Sequence, residues 1–515
     1  MISILIPSGI LLAAYWGLFL GRGRKTGVPV IVPLVFTCLV IPKVNLITVN
    51  PAYSTAGIRI DDLLALVLLG ISVRDAATWK NRHIRVGLIF LTALTAVGIL
   101  GMIAGRANGL ENNTLFAVLV WIRKFEYFAF ALIGIYGARQ CGACAGAGRD
   151  GSGRPCGGAE DMARSRRGLE AVIMREFTLM SGFHLIIALL QIAGVCNYCV
   201  SGTVMPNPWE QPVAVSTFNG YYEYGQFLCF GIATYLCSYL RMRGAAGADS
   251  AFGGSAAGTG LSGRLRSGGS AAVAGCLGMT AVSVAMILLT ESRSSLMIGI
   301  GLIFLILVFS IRRDSPRRTK IITAGIIAAM VAGAVLFFSG AIHVGRFSVS
   351  GLGDYAANLR ENIAAGDLQK YAADVRARIH DKYNVIYWFG DGSASIRFYR
   401  WGAALDGLRQ FPVFGYGAGV THAMDGSYVK LLGESGIAGT VLWLGMFGYF
   451  LRVVWAARRT APGARSVFWM MISVLAASLF IDMFDASKPM EMMWLAVGVV
   501  IGAAEDGSDH EGFRV

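Results

Sequence analysis

Three arginines give the clearest chemical signal in this chain of 515 residues. Arg397 and Arg400 lie about one helical turn apart, and Arg293 separates two long apolar segments. The guanidinium group offers a planar set of donors that matches the oxygens of a phosphate. A charge between apolar segments is costly and usually functional, although such an arginine can also reach to lipid headgroups. The pattern favours a site for a phosphate-bearing ligand with an apolar tail, such as a lipid-linked pyrophosphate.

Candidate proton acceptors follow the second and third arginines. His422 and Asp425 are three residues apart, so on a helix they share a face, and Tyr428 continues that face. Either His422 or Asp425 could take a proton from an attacking hydroxyl, while arginines stabilise the charge on the leaving group. Glu434 lies inside the next apolar segment. It is a supporting candidate, or else a hydrogen-bonded carboxylate that joins two helices.

Three more charged residues are supporting candidates. Arg123 and Glu126 flank Lys124 inside an apolar segment. They form either a wall of a polar cavity that opens outward, or an internal ion pair, or a group close to the outer interface. Glu223 follows the sequence TFNG at 217–220. Its tyrosine neighbours are typical anchors at a membrane interface. The chain has no Walker-type loop, dinucleotide fingerprint or metal-binding His/Cys cluster, so we expect no cofactor and no metal.

The elements that hold these residues are apolar segments. The chain is 55% hydrophobic and 15% charged, with a mean hydropathy of +0.58. Its apolar runs approach the length of about 20 residues that a bilayer helix needs. We expect an all-α polytopic transmembrane bundle of about 12 to 13 spans, with a long external loop of amphipathic helices between two late spans. The candidate spans are 3–20, 27–41, 60–73, 86–104, 114–136, 177–195, 224–240, 271–290, 295–311, 321–339, 428–451, 467–484 and 489–504.

The distribution of basic residues predicts the orientation of the bundle. Loops after the odd-numbered spans hold more than half of the 45 lysines and arginines. Basic loops stay on the cytoplasmic side, so the net charge of +14 reflects topology and predicts no nucleic-acid partner. Arg293 and the segment 397–439 are then external. Cys196 and Cys199 are external too, where a disulfide is allowed but not required.

The span pattern divides the chain into four regions. Residues 1–339 form a transmembrane bundle with flexible cytoplasmic loops at 137–168 and 242–270, rich in glycine, alanine and serine. Residues 340–427 form an external capping loop, residues 428–504 the last three spans, and residues 505–515 a C-terminal tail. The turn with Pro412, Gly415 and Gly417 returns the chain to the membrane. We expect Gly436 and Gly439 to permit close helix packing.

These motifs resemble the O-antigen ligase/polymerase family of membrane glycosyltransferases. The pattern is R-x3-W, then P-x2-G-x-G, then Y-x5-E-x-G-x2-G at the start of a span. Its residues here are Arg397, Trp401, Pro412, Gly415, Gly417, Asp425, Tyr428, Glu434, Gly436 and Gly439. The sequence SRS at 292–294 and TFNG at 217–220 are similar to further features of that family.

The resemblance implies a metal-independent enzyme of the GT-C type in the bacterial inner membrane. Such an enzyme takes a glycan from undecaprenyl pyrophosphate on the periplasmic face and transfers it to a sugar hydroxyl, as in surface polysaccharide or exopolysaccharide synthesis of the cell envelope. Arg293, Arg397 and Arg400 would bind the pyrophosphate, and Asp425 or His422 would act on the acceptor. Expected partners are the lipid-linked glycan, membrane lipids, and flippase and chain-length regulator proteins.

One departure from the family pattern bears on the reaction. Ligases of the family usually carry histidine and asparagine three and two residues before the motif tyrosine, where this chain has Asp425 and Gly426. An aspartate there is more similar to the polymerase branch, so we expect a polymerase, with a ligase that modifies lipid A core or protein as the alternative. A transporter of the lipid-linked glycan is an alternative of another class, although the chain lacks the internal repeat that many transporters show.

Overall fold

Helices dominate the computed structural model of this protein. The residues that it describes are 3–23, 28–48, 57–109, 114–146, 159–200, 203–206, 212–251, 262–310, 325, 401–402, 404–405, 408–418 and 426–505. Their α-helices, in chain order, are α1 (Leu5–Leu18), α2 (Ile31–Val40), α3 (Ile60–Ser72), α4 (Ala76–Lys80), α5 (Arg82–Ala107), α6 (Thr114–Gly146), α7 (Ala159–Ile192), α8 (Tyr221–Ala251), α9 (Ser262–Leu289), α10 (Arg293–Ser310), α11 (Ser427–Ala456), α12 (Ala464–Ala477) and α13 (Ser487–Glu505).

Several of these helices suit a membrane. A bilayer offers no hydrogen bonds, so an apolar segment satisfies its own backbone by forming a helix. Among the described residues, five helical segments are long and apolar enough to cross: Arg82–Ala107, Gly168–Ile192, Ala271–Leu289, Arg293–Ser310 and Ser427–Arg459. The predicted all-α polytopic bundle is confirmed. Helices occupy the predicted spans except 321–339, which lies outside the described residues apart from residue 325, as does most of the predicted capping loop.

The centre of the bundle is the contact between α6 and α13. A Cβ atom added to Gly498 would lie 2.0 Å from the carbonyl oxygen of Ala131, and one added to Gly134 would lie 2.2 Å from that of Leu495. The two helices therefore touch backbone to backbone, as small residues allow in membrane bundles. Rings of Phe128 and Trp494 pack edge to face beside this contact, with centroids 5.2 Å apart.

Polar contacts join residues 74–85, the end of α6 and the end of α13 at one end of the bundle, which we call the basic end. Residues 452–465 pack against α13 at this end. Arg139 pairs with Asp75 at 3.4 Å and with Glu505 at 2.8 Å. The side chain of Asn81 also donates to Glu505. These loops are ones that the distribution of lysine and arginine assigns to a single side of the membrane, so the packing agrees with that assignment.

Two small hairpins lie at the opposite end. Strands β1 (Asn45–Thr48) and β2 (Gly57–Arg59) are antiparallel, as are β3 (Tyr198–Val200) and β4 (Thr203–Met205). The thiol of Cys199 donates to the carbonyl oxygen of Lys43 at 2.6 Å, which joins the two hairpin regions. These short strands are an addition to the all-helical prediction. Their residues follow apolar helices and close off a group of buried charges described below.

Candidate functional site

Residues 411–418 form a loop that docks onto a break in α11, and we call them the docking loop. Helix α11 is interrupted at Gly436, whose φ of 62° is left-handed. Loop N–H groups donate to carbonyl oxygens before the break: Tyr416 to Gly433 and Gly417 to Glu434, each at 3.0 Å. N–H groups after the break donate to the loop: Ile437 to Pro412 at 3.0 Å and Ala438 to Val413 at 3.1 Å. The loop therefore satisfies the backbone groups that the broken helix frees.

Glycines make this docking fit. Gly415 has a φ of 69°, and a Cβ atom there would lie 2.6 Å from the carbonyl oxygen of Glu434. A Cβ atom on Gly436 would lie 2.4 Å from the carbonyl oxygen of Val413. The motif glycines are thus requirements of backbone geometry. Our expectation that Gly436 permits close packing of helices is wrong in one respect, because this residue breaks its own helix and admits a loop.

The start of α11 places the motif tyrosine and tryptophan. Gly426 has a φ of 97° and precedes the first helical residue, so the helical face expected to join His422, Asp425 and Tyr428 does not continue to Tyr428. The Tyr428 hydroxyl instead donates to the carbonyl oxygen of Leu475 at 2.7 Å. The indole nitrogen of Trp401 would lie 2.9 Å from a Cβ atom on Gly426, so Trp401 packs beside the residue that follows Asp425.

Residues 482–491, between α12 and α13 and in the first turn of α13, form a second feature that we call the charged connection. Lys430 of α11 donates to Asp482 at 2.6 Å and to Asp485 at 2.5 Å. Lys124 of α6 donates to Asp485 at 3.2 Å. The Ser427 hydroxyl donates to Asp482 at 3.3 Å. These ion pairs fasten three parts of the bundle at the point where the motif helix begins.

Asp485 lies between the ammonium groups of two buried lysines. At Asp485 the ammonium groups of Lys124 and Lys430 outweigh the effect of burial and hold the pKa of the carboxyl below its ordinary value. Asp485 therefore stays ionised. Glu434 is buried in the field of Lys430, so this supporting candidate belongs to the same cluster.

The charged connection also holds the TFNG turn. Lys488 has no exposed surface, and its ammonium group donates to the carbonyl oxygen and the hydroxyl of Thr217 at 2.8 and 2.7 Å. The neighbouring Ser216 exchanges two hydrogen bonds with the side chain of Gln191, at 2.7 and 2.8 Å. His184 contacts the Ser216 hydroxyl at 3.0 Å. The turn is thus fixed by buried polar groups on both sides.

Further buried charges surround Lys488. Arg59 pairs with Asp61 at 3.5 Å and with Asp62 at 2.9 Å. Lys43, fully buried, lies 3.9 Å from Glu223, the supporting candidate at the start of α8. Charged groups so far from water are rare in membrane bundles and usually mark function. Glu223 therefore lies within a network of opposite charges.

The supporting candidates of α6 belong to the same end of the bundle. Arg123 donates to the carbonyl oxygen of Gly57 at 3.4 Å, which ties α6 to strand β2. Glu126 lies in the field of Arg123 and Arg59. Their neighbour Lys124 makes the ion pair with Asp485. Lys124 thus joins α6 to the charged connection, and Arg123 contacts the hairpin.

The SRS tip lies against the start of α8. A Cβ atom on Gly225 would lie 2.2 Å from the hydroxyl of Ser295, so the two helices meet closely there. The N–H of Ala214 donates to the carbonyl oxygen of Leu289 at 2.9 Å, which joins the segment before the TFNG turn to the end of α9. Arg293 is the first residue of α10 and is exposed. The structure therefore brings two predicted external motifs together.

Four of the predicted site residues lie outside the described part of the chain: Arg397, Arg400, His422 and Asp425. Their convergence with Arg293 stays a prediction. Within the described residues, no group of three His, Cys, Asp or Glu side chains could hold a metal ion. Cys196 and Cys199 are buried free thiols there.

Sequence reasoning missed the charged connection. Asp482, Asp485 and Lys488 stand within seven residues between two apolar segments, with Glu491 inside the last predicted span. Ionisable residues at such positions are expensive and call for partners. That signal was available. The lysines that pair with the two aspartates, Lys124 and Lys430, come from distant parts of the chain, and only the tertiary structure shows the pairing.

The fold and these features define a polytopic membrane protein with a broken helix and a docked loop among its late spans. Residues 278–444 match the family model described as O-antigen ligase, in agreement with the resemblance of the motifs. The matched segment begins within α9 and ends within α11, so it includes the SRS tip and the docking loop. No curated protein matches the chain. The match supports a membrane enzyme of the glycosyl-transferring type.

Proposed function

We propose that this protein transfers a glycan from a lipid-linked pyrophosphate donor to a sugar hydroxyl, and that it acts as a polysaccharide polymerase. The observation that carries the proposal is the family match at 278–444. The matched segment includes the docking loop and the contact between Trp401 and Gly426. A donor with a phosphate head and a lipid tail suits a site built from late spans.

The reaction assigns a role to each predicted residue. The acceptor hydroxyl oxygen attacks the anomeric carbon of the donor sugar, and the bond from that carbon to the pyrophosphate oxygen breaks. Arg293, Arg397 and Arg400 bind the pyrophosphate and stabilise the negative charge that develops on it. Asp425, or His422 in its place, takes the proton from the acceptor hydroxyl.

Asp425 favours the polymerase over the ligase. It stands where ligases of the family usually have histidine, and Gly426 stands where they have asparagine. A polymerase joins repeat units into a longer lipid-linked chain. The ligase stays the second candidate because the matching family model carries that description.

Loops rich in lysine and arginine alternate with loops that hold few of these residues. This alternation supports a location in the bacterial inner membrane with the reaction on the periplasmic face. Flippase and chain-length regulator proteins would then be neighbours in the same process.

Transfer by the purified protein tests the proposal. The full chain in detergent is incubated with a lipid-linked repeat unit, and the products are separated by length. We expect longer lipid-linked glycans from the wild type and none from Arg397→Ala or Arg293→Ala. Arg409→Ala removes the same charge from the segment between Trp401 and Pro412 and serves as the matched control that keeps the ladder. A normal ladder from both test variants would refute the assigned roles.

An experiment in cells distinguishes a polymerase from a ligase. Loss of a polymerase leaves single repeats on the final acceptor, whereas loss of a ligase leaves long chains on the carrier lipid. Movement of the lipid-linked glycan across a vesicle membrane without any new glycosidic bond would assign the protein to transport instead.

A further inference from the structure

A large cavity opens at the basic end, opposite the candidate site. Its volume is about 1240 Å³, above the range of roughly 300–1,000 Å³ for sites of drug-sized ligands. It lies between α2, α6, α7, α8, α12 and α13. Its deeper lining is apolar and includes Leu39, Phe230, Met470, Met492 and Val500. A small anion would leave most of this space without contacts, so the volume and the lining favour a ligand with long apolar chains.

The rim of the cavity carries unbalanced positive charge. Four arginines line it: Arg241, Arg458, Arg459 and Arg465. The carboxylates that line it are Glu170 and Glu176, and both already have partners. Glu170 pairs with Arg241, and Glu176 pairs with Arg175 and accepts from the Tyr15 hydroxyl.

The positive charge of two of the four arginines is not compensated by a nearby carboxylate of the described residues. In the described part of the chain, neither Arg459 nor Arg465 has an acidic partner or a side-chain hydrogen bond. Arg465 also repels Arg241, since their positive charges oppose each other. Arg458 is already engaged, because it donates to the carbonyl oxygen of Trp455 at 2.7 Å and lies over the indole ring. The rim is therefore short of negative charge at Arg459 and Arg465.

A polar stripe on α8 leads from this rim toward the apolar interior. Thr234, Cys237, Ser238 and Arg241 all line the cavity and share one face of the helix. Thr234 is 4% exposed, and its hydroxyl has no hydrogen-bond partner among the residues that the structure describes. It lies about 10 Å below Arg241 along the helix axis. A buried hydroxyl without a partner favours a ligand that brings an acceptor to that depth.

We propose that this cavity binds one anionic phospholipid from the leaflet at the basic end. The phosphate lies against Arg459 and Arg465, an ester oxygen accepts from the Thr234 hydroxyl, and the acyl chains fill the apolar interior. Basic pockets between transmembrane helices commonly bind anionic headgroups. The site is separate from the proposed glycosyl-transfer chemistry and does not depend on it.

Lipid binding by the full-length protein tests the site. The purified chain in a neutral detergent is titrated with phosphatidylglycerol or with phosphatidylcholine of the same acyl chains, and bound lipid is counted by native mass spectrometry. We expect phosphatidylglycerol to bind about tenfold or more tightly. The double variant Arg459→Gln/Arg465→Gln should lose that preference. Thr234→Val, which keeps the side-chain volume, should weaken both lipids alike.

The matched control is Arg452→Gln/Arg74→Gln, which removes two exposed arginines at the same end that do not line the cavity. It should keep the preference for phosphatidylglycerol. The proposal would be overturned if the wild type bound the two lipids equally, or if the Arg459/Arg465 variant kept its preference for phosphatidylglycerol. It would also be overturned if inorganic phosphate bound to the wild type as tightly as phosphatidylglycerol. If lipid bound only after removal of residues 506–515, the C-terminal tail would be the occupant of the cavity, and the proposal would also be overturned.

Discussion

The docking loop and the charged connection lie at the same end of the bundle but are built by different physics. The docking loop is held by backbone hydrogen bonds, and its essential residues are Gly415 and Gly436, which have no side chain. The charged connection is held by side chains, in which Asp485 takes two lysines from two different helices. One feature depends on the absence of atoms and the other on the presence of charge.

This difference explains why the docking loop is recognisable from the sequence and the charged connection is not. Glycine positions that permit a left-handed backbone or a close approach recur at short spacing, so they form a motif within one segment. An ion pair between α6 and the connection before α13 leaves no local pattern, because its two members are hundreds of residues apart. Because one region is held by backbone contacts and the other by side-chain charges, we expect the two regions to respond differently to substitution.

The largest effect should come from Gly436→Ala or Gly415→Ala. Each places a Cβ atom within 2.6 Å of a backbone oxygen at a residue with a left-handed φ. We expect a loss of about 3 kcal/mol or more in the free energy of unfolding, with little folded protein recovered. The measurement is the yield of monodisperse protein in detergent and its melting temperature.

Gly448→Ala is the matched control in the same helix, since nothing lies within 4 Å of a Cβ atom there. Alanine favours a helix over glycine by up to about 1 kcal/mol, so this variant should be as stable as the wild type or more stable. Similar melting temperatures for Gly436→Ala and Gly448→Ala would contradict the role given to the glycines.

An intermediate effect should come from Asp485→Ala. The change leaves the buried ammonium of Lys124 without its ion-pair partner and removes one of two from Lys430. Removal of one member of a buried pair is strongly destabilising, so we expect about 3 kcal/mol. Asp482→Ala should cost about 1 kcal/mol, because Lys430 keeps Asp485. Thermal unfolding in detergent gives the order, and equal losses for the two variants would show that Asp485 does not hold both lysines.

A smaller effect than that of Asp485→Ala should come from Thr217→Val. It removes a hydroxyl that accepts from the buried Lys488 at 2.7 Å, while the backbone acceptor stays. We expect a loss of about 1 to 2 kcal/mol. Thr95→Val is the control, since that hydroxyl donates to a carbonyl within its own helix. If both variants melt at the same temperature, the contact between Lys488 and Thr217 does not stabilise the turn.

Sequence alone predicted the helical class and the position of most helices, because apolar runs of membrane length have one stable backbone. The motifs from the SRS sequence to Gly439 lie within the segment that the family model matches, whereas TFNG at 217–220 lies outside it. Sequence alone did not predict the break at Gly436, because a glycine inside an apolar run is equally consistent with close helix packing. It placed Tyr428 on a helical face with Asp425, which the left-handed Gly426 interrupts. Chemistry at Arg397, Arg400, His422 and Asp425 rests on motif and residue type.

A structure of the full chain with a pyrophosphate-bearing carrier lipid tests the central claim most directly. We predict the pyrophosphate at the end of the bundle that holds the SRS tip and the docking loop, with the guanidinium groups of Arg293 and Arg397 both within hydrogen-bond distance of its oxygens. A pyrophosphate bound elsewhere, for example at the basic end beside Arg459 and Arg465, or one contacted by neither Arg293 nor Arg397, would contradict this account.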